Sequence, residues 1–515
     1  MRQITEKTVE KNKELSISFV DLRKAFDRVR KEDIEQELSD KGIDRGMALA
    51  VMSRYNKTRN VVWTRNHRNS RQNQSYYEFL TPRLVIRDNG LVQKVLVKDF
   101  GHFVDHGFEV DVEKSPLDDE LFVMTGNKWR AFRAKMAPLF TSGKLKSMYD
   151  VMTEVGDDLL EYLDKNKVND VDIHDVMGLY SMDVIGSAGF GLNPGVLKNP
   201  ESEFRAKGKE ISAPNLRNQV RIWVFLLFPK AAKFFGISFQ GKSVTNYFCN
   251  VIKNAMDHRK KNDIQRNDFV QMITQLKEKR NIEIKTLDSS DDWFKNELND
   301  TSKEIFELTD EIILAQAQSF LVGGFDSPSL LLAFAILEIC KKSEIQDALR
   351  EEIMEQVKLN GGLTYGALKN MKFLEQIIKE THRFYPLLPF LTRVCTKSYT
   401  LSNGFTIKKG EYVHIPVSAI QMDPTFYPEP KSFKPERFAK PPKPGTFLPF
   451  GGGPRMCIAM RYAILVVKYG LALFFLNYRA KLSPSTKLPV HFVNRAFVNI
   501  PNQKIFLNIE KINVK

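Results

Sequence analysis

The feature that most restricts this chain is one loop near its C-terminal end, Phe450-Gly451-Gly452-Gly453-Pro454-Arg455-Met456-Cys457-Ile458-Ala459. Three consecutive glycines permit tight turns and let backbone N–H groups point at the sulfur of Cys457. The apolar run from Ile458 to Tyr478 reads as a helix, so its positive end lies beside that sulfur and favours a thiolate. Arg455 is placed to reach a carboxylate across the loop. A thiolate ligand to a metal fits this pattern. A buried cysteine in a glycine-rich turn has the same composition, and the loop alone leaves both readings open.

The other cysteines, Cys249, Cys340 and Cys395, show no CxxC spacing. That argues for a reducing compartment and against a disulfide framework. A chain of 515 residues can bury a large core in one domain or several. Mean hydropathy of -0.31 argues against a polytopic membrane protein. The N-terminus, MRQITEKTVEKNKEL, reads neither as a signal peptide nor as the run of ~20 apolar residues that a bilayer span needs. The net charge of +15 calls for an acidic partner, and the excess is spread out: residues 1–75 carry 17 Lys/Arg against 11 Asp/Glu.

Along the chain, residues 16–22 read as a strand and 31–41 as a helix closed by Gly42, with a second helix from Arg45 to Tyr55. The polar stretch 65–75 has no periodicity and reads as a linker, which places a boundary between 1–75 and 76–515. Two short β-like runs follow Tyr76. Helical patterns then occupy 204–211, 245–261, 304–323, 333–341, 344–358 and 367–385, and short strands fill 386–415. A long irregular segment rich in Pro and Gly, 424–454, precedes the last helix. The expectation is a mainly α fold with small β-sheets, class α+β.

Three further stretches carry candidate chemistry. Trp129 and Arg133, at i and i+4, can donate to one acidic group, although such pairs are common on amphipathic helices. Gly323-Gly324-Phe325-Asp326-Ser327 places small residues, an acid and an alcohol inside an apolar helix, which also describes a glycine break in a core helix. Glu380 and Arg383, at i and i+3, can pair, as surface ions commonly do.

Taken together and in order, these motifs resemble the cytochrome P450 family. The cysteine loop resembles its signature Phe-x-x-Gly-x-Arg-x-Cys-x-Gly, with Ala459 in place of the last glycine. The resemblance implies haem b as cofactor, held by Cys457 on the iron and by Trp129, Arg133, Gly324, Arg393, Phe450 and Arg455. It implies Asp326 and Ser327 as the catalytic pair that delivers protons to dioxygen, with Gly324 leaving room for it, and a structural clamp of Glu380, Arg383 and Arg437. Serine replaces the usual threonine at 327, and Pro328 is expected to kink the helix. Phrases such as Phe103–Gly107, Trp129–Gly143 and Phe320–Ser329 are most similar to microsomal insect enzymes that handle foreign compounds.

The implied activity is a haem-thiolate monooxygenase taking electrons from an NADPH-dependent cytochrome P450 reductase, with dioxygen and a lipophilic small molecule as substrates. It implies a monomer on the cytoplasmic face of the endoplasmic reticulum membrane, with no nucleic-acid partner. Lys431, Lys434, Lys440 and Lys443 would face the reductase, and the apolar segment 221–239 would dip into the membrane surface. The 105–121 loop, Phe320, Leu387, Leu388 and Phe497 would line the substrate cavity. The alternatives are a reductase-independent isomerase or dehydratase, or a haem-binding but inactive product of a chimeric gene. The latter arises because Phe19–Val29, with Asp21, resembles the first catalytic motif of retrotransposon reverse transcriptases, and the resemblance extends over about 14–63. The partner motif with paired aspartates is absent, so a two-metal polymerase site cannot be completed.

Overall fold

In the computed structural model, residues 73–78 and 81–512 are described, except 167, 213–215, 239, 267, 279–280, 284–304 and 494–496. The strand and helices expected over 16–55, and Asp21 with them, lie outside the described residues. The chain divides into two units, Met1–Ile86 and Arg87–Lys515. In the first, β1 (Asn73–Glu78) and β2 (Thr81–Ile86) form an antiparallel hairpin in which Tyr76 pairs with Arg83.

The second unit is mostly helical, as its composition and periodicity suggest. Its principal helices are α1 (Gly126–Met136), α2 (Ser142–Lys165), α3 (Ile173–Val184), α4 (Glu203–Ser212), α5 (Leu216–Leu227), α6 (Pro229–Phe235), α7 (Lys242–Lys261), α8 (Phe269–Glu278), α9 (Asp310–Cys340), α10 (Ser343–Asn360), α11 (Lys372–Phe384) and α12 (Met460–Asn477). Small sheets accompany them. β3 (Val171–Asp172) lies beside β7 (Phe506–Lys511), which pairs with β6 (Tyr478–Leu482). β4 (Leu391–Val394) and β5 (Tyr412–Ile415) pair antiparallel, with Arg393 opposite Val413.

The centre of the core is α9. Leu330 through Leu337 are each 2% exposed or less, and α9 crosses α3, α12, α7 and α11. The sequence suggested two helices, 304–323 and 333–341, separated by glycines and proline. One helix of 31 residues runs through Gly323, Gly324 and Pro328 instead. Pro328 costs about 3 kcal/mol in a helix interior, whereas each fully buried Leu, Ile or Phe contributes about 1.5–3 kcal/mol. Burial on every side therefore outweighs the local break. The helical pattern begins at 304, but the apolar helix itself is expected from near Thr309, and it starts there: Ile305–Glu307 is a strand and Thr309 caps α9 by accepting from Ile312 N–H.

Among the described residues, α9 and α12 are long and apolar enough to cross a membrane, and both are mostly buried inside the fold. Burial also accounts for the three cysteines outside the loop. All are free, and burial raises their thiols, to about 12 for Cys249 and about 11 for Cys395.

Candidate active site

The cysteine loop is closed by its own backbone. Cys457 N–H donates to Phe450 O at 2.9 Å, and Met456 N–H to Gly453 O at 2.9 Å. Gly453 has φ +65°, and a Cβ there would fall 1.6 Å from Leu96 O, so only glycine fits. The helix that follows begins at Met460, three residues beyond the sulfur. Cys457 retains accessible surface, yet burial raises its thiol above the ordinary value. The two together describe a side chain lining an enclosed void. The Ala459 N–H and Arg133 act in the opposite sense without overcoming burial. The loop's donors therefore do not make the thiolate unaided, as its glycines and helix end suggested; a cation on the sulfur would.

Three arginines gather beside this loop. Arg455 donates from Nε to Val104 O (2.9 Å), from Nη1 to Leu121 O (3.3 Å), and from Nη2 to Met124 O (2.6 Å) and Asp105 Oδ1 (3.3 Å). Asp105 is the carboxylate across the loop. Arg455 also lies 3.9 Å over the Trp129 ring, a close cation–π contact. It thus spends most of its donors tying the cysteine loop to segment 104–124. Arg133 donates to Met456 O at 2.7 Å. Arg393, on β4, donates to Thr392 O at 2.7 Å and meets His106 Nδ1 at 3.0 Å, while its buried Nε has no partner.

Burial lowers Arg393 to about 10 and Arg455 to about 9, and the neighbouring cations add to the effect on Arg455. His106 is lowered well below its ordinary value by burial and by all three arginines. Since Arg393 can only donate, His106 Nδ1 accepts and the ring is neutral. Among the described residues these three arginines, Arg393 and Arg455 buried and Arg133 half-buried, have one nearby carboxylate, Asp105, and are short of anionic partners. A cofactor carrying two carboxylates and a metal that takes a thiolate, as haem b does, fits this donor set.

On α9, Ser327 Oγ donates to Gly323 O at 2.8 Å. A Cβ at Gly323 would meet nothing within 4 Å, whereas one at Gly324 would lie 2.6 Å from Ile185. The glycine that opens onto free space is therefore Gly323. Gly324, given that role from the sequence, makes room for the Ile185 side chain. Asp326 and Ser327 are both half-buried.

The clamp forms. Arg383 Nε and Nη2 donate to the two oxygens of Glu380 at 2.7 Å each, and both side chains are fully buried. Arg437 Nε lies 3.4 Å from Glu380 Oε1. Arg383 also donates to Gln421 O and Pro430 O, and Lys434 N–H donates to Glu380. The clamp thus fixes segment 421–437 on α11. A residue that the sequence reading missed connects it to the cysteine loop. Gln421 donates to His382 O at 2.9 Å and accepts from Leu448 N–H at 2.9 Å. Phe450 packs against the His382 ring, with centroids 4.8 Å apart.

The expected cavity-lining residues separate. Phe497 joins Phe108 and Phe122, with centroids 6.3 and 6.1 Å away. Phe320 instead packs on Phe140 and Phe269, and Leu387 is core. Phe108 also stacks with Phe225 of α5.

The cytochrome P450 family model matches residues 53–508. Relatives include a probable cytochrome P450 6a23 of Drosophila melanogaster, 34% identical over 85% of this chain and 86% of its own length. A probable cytochrome P450 6a14 of the same fly is 36% identical over 85% and 86%. Cytochrome P450 9e2 of Blattella germanica is 33% identical over 84% and 85%. With its loop, clamp and carboxylate-deficient arginines in this order, the chain belongs to the cytochrome P450 family, the monooxygenases that carry haem b.

Proposed function

We propose that this chain inserts one oxygen atom into a lipophilic small molecule, with electrons from an NADPH-dependent reductase at a membrane surface. The observation that carries the reading is the trio of buried Arg393 and Arg455 with half-buried Arg133, which share among the described residues one carboxylate, Asp105, beside Cys457. Cys457 would bind the iron. Arg133 and Arg393, with Trp129 beside them, would hold the propionates; Arg455 would fix the loop that presents the sulfur; and Phe450 would shield it. Haem b, when bound, supplies an iron centre able to activate dioxygen. Ser327 Oγ, resting on the carbonyl of Gly323, holds a transferable proton beside the open space, and Asp326 resupplies it.

The finer parts of the reading have separate support. Phe234 and Phe235 on α6 are each 71% exposed and Phe228 is 42% exposed, with Lys114 over the Phe234 ring; such a patch suits a bilayer surface. Lys431, Lys440 and Lys443 are exposed in the segment leading to the cysteine loop, where an acidic reductase would dock. The endoplasmic reticulum membrane and a monomeric state follow from the same reading. Residues 1–75 are proposed as a graft related to a reverse transcriptase, tested by sequencing messenger RNA across Ser70 to Tyr77.

The deciding experiment is the carbon-monoxide difference spectrum of the reduced, haem-loaded chain. A thiolate-type Soret band is expected, and Cys457→His should abolish it. A histidine-type band in the wild type would overturn the assignment.

A further inference from the structure

Segment Asp119–Met124 is gripped twice. Gln316 on α9 accepts from Leu121 N–H at 2.7 Å and donates to Asp119 O at 2.5 Å. Arg455 of the cysteine loop donates to Leu121 O and Met124 O. The segment therefore spans from α9 to the loop that presents Cys457, and Glu120 lies within it. Its carboxyl lies beside the Ser319 hydroxyl of α9. Ser319, Gly323 and Ser327 follow at intervals of four residues, so they share one face of α9. That is the face on which Gly323 meets open space.

Glu120 is half-buried, and burial is the main influence on its carboxyl. Among the described residues no cation faces it. Asp118 is its charged neighbour, and the Cys249 thiol senses it. Asp118 differs, since it has Ser238, Lys242 and Arg221 beside it. Burial, reinforced by Asp118, raises Glu120 to about 8. A carboxyl in low dielectric without a cation gains most from a cationic ligand, because the attraction is little screened there.

We propose that Glu120 is the polar anchor of the substrate cavity and selects lipophilic molecules that carry a cationic nitrogen. This deepens the monooxygenase reading and rests on it. Glu120 acts as a specificity-determining residue, holding the charged end while the apolar body lies along the open face of α9.

The test uses trimethylphenylammonium, whose charge does not titrate and whose nitrogen cannot ligate iron, and its neutral isostere tert-butylbenzene. Binding to the haem-loaded full chain is followed by the Soret shift between pH 6 and 9. The cation should bind roughly tenfold more tightly per pH unit up to about pH 8, and then level off, as Glu120 loses its proton. The isostere should show a flat profile. Glu120→Gln, which keeps the side chain's size and removes its charge, should flatten the cation's profile and weaken it at least about fivefold at pH 8. A flat wild-type profile, or a cation preference that survives Glu120→Gln, overturns the proposal. If Glu120→Gln fails to take up haem, the wild-type pH series decides alone. Absence of the thiolate-type carbon-monoxide band would instead remove the monooxygenase reading beneath it.

Discussion

At the scale of single residues, the cysteine loop was readable because its chemistry is written in consecutive letters. Gly453 has to be glycine: its φ of +65° and the 1.6 Å approach of a Cβ to Leu96 O leave no other choice. Gly453→Ala should displace the Leu96 backbone or the loop and abolish the thiolate-type spectrum in chain that is still helical by circular dichroism. His382 was not readable as special, since its environment is assembled from distant segments. It is buried against Phe450, both ring nitrogens lack partners, and burial lowers it to about 3. With a folded value below the ordinary 6.5, the unfolded chain binds the extra proton, so stability is present above pH 6.5 and falls as pH drops towards 3. Removing this group by His382→Phe should flatten the acid limb of the stability profile by about 1.4 kcal/mol per pH unit. It should cost little at pH 7.5, because no hydrogen bond is lost. Urea midpoints at pH 5 and 7.5 measure both, and an unchanged acid slope would refute the buried neutral state.

At the scale of elements, periodicity located α4, α7 and α10, expected over 204–211, 245–261 and 344–358. It passed over α2, although Leu145, Met148, Tyr149, Met152, Val155 and Leu159 form a buried 3.6-residue stripe there. It failed at α9, which is apolar all round and so shows no stripe, and its glycines and proline suggested breaks that the core overrides. It failed again near Met371, where the expected helix 367–385 divides into Tyr365–Asn370 and α11. The clamp on α11 was legible as Glu380 and Arg383, but its link to the loop was not. Gln421 is 39 residues from His382 and 27 from Leu448, joined to them only by folding. Gln421→Ala leaves Leu448 N–H and His382 O without their bonds, at about 1–3 kcal/mol. Glu380→Gln leaves Arg383 and Arg437 buried beside no charge, at about 3–5 kcal/mol. Thermal denaturation of haem-loaded protein should rank Glu380→Gln below Gln421→Ala, and the reverse order would make Gln421, not the ion pair, the main tie.

At the scale of the whole molecule, the charge of +15 was legible from the start, but its use depends on where the lysines lie. Lys434 is already engaged by Glu429 at 2.7 Å, whereas Lys431, Lys440 and Lys443 are exposed with no carboxylate at salt-bridge distance among the described residues. They flank the segment that Arg383 and Arg437 hold, so the surface that carries them is anchored to the same clamp that orders the cysteine loop. Exposed cations act over about 8–10 Å at physiological salt, enough to steer an acidic partner and too weak to alter the buried site. Lys431→Glu, Lys440→Glu and Lys443→Glu combined should therefore leave the carbon-monoxide spectrum unchanged while raising the reductase concentration needed for half-maximal turnover by about tenfold at low salt. The gap should shrink as salt rises, because screening removes what the wild-type lysines contribute. If reductase-driven turnover of the triple variant equals wild type at every ionic strength, electrons enter through a different surface. A peroxide-supported reaction, which needs no partner, should proceed equally in both chains and separates docking from any damage to the haem pocket.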